Sequence, residues 1–409
     1  MSITRSKNSN TTSSVSSVAP NSFWVSIYGL PPQWNTNNNS APPTSCLHCG
    51  HLISSLKTKV IMDCGVSFTC FICPQCNQLN GFGTLLTNTT IEMSNVSMPS
   101  HWMYDATEYD ILNVVVGEFY ILAKAQDKKN GNGNTVVLIT KQNDVVFGRV
   151  PGLPTGNVVT MAAGGQGCYV VMNVHQKNES TSRTNVYCLG YKKDKECWIE
   201  CKINIPSNVI QIAVGTSHAA FLMQDHEMYT CGSNIHQQLG GSIVSTMSTM
   251  STTTTATEAT EATTSSAPKL LSLHHIETLS GIPGSVVIDI SCGSHHTAAL
   301  TSMGDIYVWG TFSTNLHNET SSFNNTDNEI KQHRKVVSEI LLIDNDDDDG
   351  EEDSPIEIVS TRQHVGVRTK KGRIIVLHAE YDEICRTTLD LGNGNTLLKA
   401  GIYHFGILH

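Results

Sequence analysis

The sequence predicts an all-β fold, a seven-bladed β-propeller closed by pairing of its N- and C-terminal strands. Three observations carry that prediction. Val209–Gly232 and Val287–Gly310 align without a gap, with nine of 24 positions identical. The same grammar returns in fainter form along the chain: an apolar strand, Gly-x-x-His, a second apolar strand, a polar turn, and a third strand ending in Gly. Finally, the chain begins on a trailing half-unit and ends on a leading one. Self-similarity at a fixed period marks repeat architectures, and strands joined by Gly- and Asp-containing turns are a hairpin signal.

Taken in order, residues 1–22 are rich in Ser, Asn and Thr and read as a disordered tail, without the apolar stretch of a signal peptide. A single propeller domain is expected over 23–409. Phe23–Leu30 is a lone apolar strand. Leading halves follow around Gly65, Gly117, Gly164, Gly215 and Gly293, then at Thr361, which replaces the glycine, and at Gly401. Val136–Thr140 and Asn185–Gly190 are later strands of the second and third units. Half a blade at each end lets Phe23–Leu30 complete the last blade and cover its open edge, whereas a solenoid would need capping repeats. Residues 241–275, almost all Ser, Thr, Met and Ala at first, and 313–355 read as disordered inserts. Both follow the strand that ends in Gly232 or Gly310, so both should leave one face of the disc.

The pattern carried by Gly293, His296, Leu300, Gly304, Tyr307, Trp309 and Gly310, with Gly232-Ser-Asn and Gln238-Leu-Gly240, resembles the regulator of chromosome condensation repeat. The match is strong over 209–240 and 287–310 and degenerate elsewhere. The resemblance implies a seven-bladed propeller and, for some members, guanine-nucleotide exchange on a small Ras-like GTPase. Departures are visible. His226 stands where the turn glycine belongs, Cys231 where Trp belongs, and the sixth unit lacks its Gly and its Trp.

Composition narrows the function. Of 409 residues, 39% are hydrophobic and only 15% charged. The formal net charge is −10, and Asp344–Asp353 holds eight acids with no base, which leaves −10 + 8 = −2 for the rest. A near-neutral body has no basic stripe to neutralise phosphates, so nucleic acid is not an expected partner. No stretch has about 18 consecutive apolar residues, and no membrane span is expected. Thirteen cysteines in a chain without a leader are expected to be reduced, in the cytoplasm or nucleus. The Asn88 and Asn178 sequons are then incidental.

Motifs of chemistry are sparse. No nucleophile elbow, phosphate loop or zincin signature occurs, and no catalytic, cofactor or metal residue is expected. His218, His296, His364 and His404 repeat at one position and so lie spread around a ring. They read as hydrogen-bond donors to the neighbouring blade's backbone. Cys46-x-x-Cys49 with Cys73-x-x-Cys76 has the form of a zinc ribbon. The repeat grammar instead puts Cys73 and Cys76 on the end of a strand and its hairpin turn, and on that reading metal should be substoichiometric. A hybrid, with Cys46 and Cys49 in the preceding loop reaching the same turn, stays open. The acidic run fails as a calcium loop, because Ile356 falls where the bidentate Glu belongs, and it reads as solvated. The expected function is a monomeric protein-interaction scaffold using loops on one face. Its partner would be a small GTPase or a protein with a basic patch. Nucleotide exchange is the alternative, and chromatin binding a weaker third.

Overall fold

The computed structural model describes residues 23–24, 46, 48–50 and, with short gaps, 61–83, 101–240, 269–275, 285–311 and 353–408. These residues contain 27 strands and no helix. The strands form seven antiparallel-based sheets, taken here in chain order as sheets one to seven. Sheet one is Ile61–Cys64, Phe68–Ile72, Leu79–Gly83 and His101–Tyr104, and sheet two is Tyr109–Val116, Ile121–Asp127, Asn134–Gln142 and Asp144–Arg149. Sheet three opens on Asn157–Ala163, sheet four on Val209–Val214, sheet five on Val287–Cys292 and sheet six on Pro355–Ser360. Sheet seven joins Leu397–Ala400, Phe405–Leu408 and the N-terminal pair Phe23–Trp24, with Phe23 opposite Leu408 and Trp24 opposite Ile407. The rest of the expected strand, 25–30, and the tail 1–22 lie outside the described residues.

A sheet is stable only when its apolar face is covered, and here each sheet covers the next. Six apolar clusters span successive pairs. Leu79 and Ile121 join sheets one and two, Leu122 and Val170 join two and three, and Tyr169 and Phe221 join three and four. Leu222 with Ile290, Leu300 with Val365, and Val376 with Phe405 continue the series to sheet seven. Between sheets seven and one, the Lys399 ammonium acts on the buried Asp63 carboxyl. The glycines mark where the first strands crowd together. A methyl group on Gly164 would lie 2.3 Å from the Gly215 carbonyl oxygen, one on Gly215 2.3 Å from that of Gly293, and one on Gly293 2.4 Å from that of Thr361. One narrow cavity is lined from all seven sheets, by Gly65, Gly117, Gly164, Gly215, Gly293, Thr361 and Gly401 among others.

Two expected segment boundaries move. Residues 269–270 and 274–275, inside the stretch read as insert, are strands. Lys269–Leu270 adds in parallel to the outer edge of sheet three, and His274–His275 is the fourth strand of sheet four. The end of this insert therefore stitches two sheets together. At the other insert, Asp353 closes the acidic run but is buried, and it accepts from Arg373 Nε at 2.6 Å and Lys371 N at 2.9 Å. It is a structural ion pair in front of Pro355–Ser360. Residues 241–268 and 312–352 lie outside the described residues.

Candidate functional site

Every sheet has two ends. At one, the first strand turns into the second through the glycine: Gly215 N donates to His218 O and Gly293 N to His296 O. The third strand also ends there, since His218 pairs with Gly232 and His296 with Gly310. Sheets four and five therefore both deliver the chain toward 241–268 and 312–352 from this glycine end. At the opposite end, the start of the first strand lies beside the hairpin turn, as when Ser302 N donates to Val286 O.

The second end carries the feature that sequence reasoning missed. In sheets two to six the first strand has a β-bulge at the same repeat position, where the pairing register jumps across Leu112, Val159, Ile210, Ile288 and Ile356. A bulge sets two residues against one and turns the extra side chain out of the ladder. All five turned-out residues are apolar and 39–50% exposed, each five positions before the conserved-grammar glycine or Thr361. Val286 at 42% and Met303 at 69% extend the patch on sheet five. The residue after the bulge faces the neighbouring sheet. Gln211 Nε2 donates to Asp289 Oδ1 at 2.6 Å, and Asp289 Oδ2 accepts from Ile358 N at 2.7 Å, so sheets four, five and six are tied in series. Burial pushes the Asp289 carboxyl up to about 6 against these donors.

The described members of the repeated histidine set pack between and within sheets. His218 and His296 are buried, and burial lowers them to about 4 and about 3, so they are neutral imidazoles. His218 Nε2 lies 2.9 Å from Thr297 Oγ1, a hydroxyl of the next sheet. The ring of His296 packs over Gly293, and His364 Nδ1 is 3.3 Å from Thr361 Oγ1 in its own turn. His404 lies outside the described residues. The expected bond from a histidine to the next sheet's backbone is made by His226, whose Nδ1 is 3.0 Å from Val287 O. Trp309 reaches back instead, donating from Nε1 to Gln238 O at 3.0 Å, and Thr297 Oγ1 donates to the same carbonyl at 2.7 Å.

The cysteines take the hybrid arrangement that the sequence left open, in place of the reading in which the repeat alone accounts for Cys73 and Cys76. Phe68–Ile72 is the second strand of sheet one and Cys73–Asn77 occupies its hairpin turn, yet Cys46 and Cys49 reach that same turn. The four sulfurs lie within 4.8 Å of one another, with Cys46 to Cys76 at 3.5 Å and Cys49 to Cys73 at 3.7 Å. Burial raises the Cys46 thiol, but the backbone N–H groups of Cys49 and His48 and the Asn80 amide outweigh it and bring it down to about 6. Among the described residues this is the set able to hold a metal ion.

Fold and repeats together define an all-β repeat protein built of propeller-type sheets. Residues 209–238 and 287–315 match the regulator of chromosome condensation (RCC1) repeat, so the chain carries repeats of that family. Human WBSCR16 superposes with a TM-score of 0.54 at 17% identity, over 86% of this chain and 88% of that one. Prp20p from Saccharomyces cerevisiae, described with its binding properties to Gsp1p and histones, superposes with a TM-score of 0.52 at 13% identity, over 86% and 82%. The same yeast protein in complex with Kap60 gives 0.52 at 14%, over 86% and 81%. At these identities the likeness is one of fold. No helix among the described residues is long and apolar enough to cross a membrane.

Proposed function

We propose that the chain is a protein-interaction scaffold, a closed seven-bladed propeller that holds a protein partner against the bulge end of its sheets. The observation that carries this is the run of exposed Leu112, Val159, Ile210, Ile288 and Ile356 on five successive first strands. Scattered apolar residues on a surface need no explanation, but a set repeated at one position of successive first strands does. An apolar patch suits a protein surface rather than phosphate. Seven sheets, a cavity lined from each of them, and the pairing of Phe23 with Leu408 support the closed ring. Reduced thiols suit the cytoplasm or nucleus.

The test uses the full chain as bait, beside Ile210→Asp/Ile288→Asp, with quantitative mass spectrometry of captured proteins. Alongside it runs fluorescent-nucleotide release from a panel of purified small GTPases. The scaffold reading expects a protein held by the wild type and reduced at least about tenfold by the double variant, with no accelerated release; each introduced charge at an apolar contact costs roughly 1–3 kcal/mol of binding. Acceleration for one GTPase would replace this reading with nucleotide exchange. Capture that survives the double variant but is lost on deleting 241–268 would move the partner to the glycine end.

A further inference from the structure

We propose that Cys46, Cys49, Cys73 and Cys76 form a structural zinc site that pins the 46–50 segment to the hairpin of sheet one. The argument starts with two loops of the same shape. Gly50 N donates to Cys46 O at 2.9 Å, and Asn77 N donates to Cys73 O at 2.8 Å. Gly50 has φ +68° and Asn77 φ +56°, both left-handed. Each Cys-x-x-Cys is thus closed by a bond from the fifth residue back to the first, and that fifth residue takes the conformation L-residues other than Asn and Asp rarely adopt. Two segments that share no strand pairing have acquired one backbone geometry, and they face each other through their sulfurs.

The dimensions fit a tetrahedral ion. Zinc–thiolate bonds of about 2.3 Å place tetrahedral sulfurs about 3.8 Å apart. Here Cys46 and Cys76 lie 3.5 Å apart and Cys49 and Cys73 3.7 Å, and no sulfur pair exceeds 4.8 Å. All four are free thiols, far beyond the roughly 2.05 Å of a disulfide. Asn80 Nδ2, fully buried, donates to Cys46 Sγ at 3.4 Å, which is the outer support expected for a ligating thiolate. Four protein ligands leave no open position, so the site is structural rather than catalytic.

The turn of sheet one is also one residue longer than its counterparts in sheets four to six. In sheets four, five and six the hairpin closes over three residues, with Met223 N, Thr301 N and Thr369 N donating to Glu227 O, Asp305 O and Arg373 O. In sheet one Cys73 N donates to Gln78 O, so the loop has four residues. The extra residue converts an ordinary hairpin turn into a Cys-x-x-Cys loop. The inference does not depend on which partner the scaffold holds.

The experiment measures metal by inductively coupled plasma mass spectrometry on full-length protein purified without chelator or affinity tag. About one zinc per chain is expected, falling to background in Cys73→Ser/Cys76→Ser and staying at about one in Cys168→Ser/Cys188→Ser. Should the first variant fail to fold, the wild type still decides. A mercurial titration with a zinc-sensitive dye should release one zinc as about four thiols react, and cobalt(II) alone should give the visible spectrum of a tetrahedral tetrathiolate. Zinc far below one per chain, iron in its place, or an intact mass four hydrogens short from two disulfides would each overturn the proposal.

Discussion

His226 condenses how this chain departs from its repeat without losing the fold. Its φ of +66° matches Gly304 at +89° and Gly372 at +87° in the equivalent turns, so the turn demands a left-handed residue whatever the side chain. A non-Gly residue there costs about 1 kcal/mol, and the bond to Val287 O returns about 1 kcal/mol by joining sheet four to sheet five. His226→Gly should therefore leave chemical-denaturation stability within about 0.5 kcal/mol of wild type. His226→Ala keeps the strain, loses the bond and should cost about 1 kcal/mol. Equal losses in both variants would show that the imidazole bond, and not the backbone, dominates at this turn. The glycine at the other end of the second strand, Gly215, is held for another reason: a methyl group there would meet the Gly293 carbonyl oxygen.

Among elements, the first strands carry both the inter-sheet links and the exposed patch, through one bulge. The strands were legible from spacing, since Gly-x-x-His and the polar turn fall at fixed distances. The bulge was not, because Val209-Ile210 and Val287-Ile288 look like ordinary strand starts. The available signal was the interval between core residues: Val209 to Ile212, Val287 to Ile290 and Val158 to Met161 are three apart, and a period-two strand reaches one face at that interval only with an extra residue. The Cys cluster was half legible for a like reason: alignment assigned Cys73 and Cys76 to the turn, while the approach of Cys46 and Cys49 to it stayed one open alternative, because 46–50 belongs to no repeat strand that would fix its place. The links make a pH prediction. Asp289 rises to about 6 in the fold from an ordinary 3.8, chiefly by burial. The folded state then holds that proton more tightly than the unfolded chain, so its stabilising contribution is full below the lower value and is lost as pH rises through the upper. From about pH 7.5 to about pH 5, wild type should gain about 1.4 kcal/mol relative to Asp289→Asn. Buried His218 and His296 act in the opposite sense in both proteins, which is why the difference is the quantity to read. A constant gap between the two denaturation series would mean Asp289 titrates alike folded and unfolded.

At the scale of the whole molecule, six apolar clusters hold seven sheets in series, and a series has two ends. In the closed ring proposed above, the joint is the meeting of sheets seven and one, where Lys399 acts on Asp63, with sheet seven completed by a strand from the opposite end of the chain. Phe23–Trp24 covers one edge of Phe405–Leu408, whose other edge is taken by Leu397–Ala400. Uncovering that edge leaves a row of unpaired N–H and C=O groups, a template for a second molecule. It also removes the one strand in sheet seven that ties residues hundreds apart in sequence. Deleting residues 1–24 should therefore lower the melting temperature by at least about 3 °C and produce concentration-dependent self-association. Differential scanning calorimetry and size-exclusion chromatography with light scattering read the two effects. Deleting 1–22 alone, which spares the pairing, should do neither. If both truncations behave as wild type, the ring is held by the contact between sheets seven and one and does not depend on the N-terminal strand.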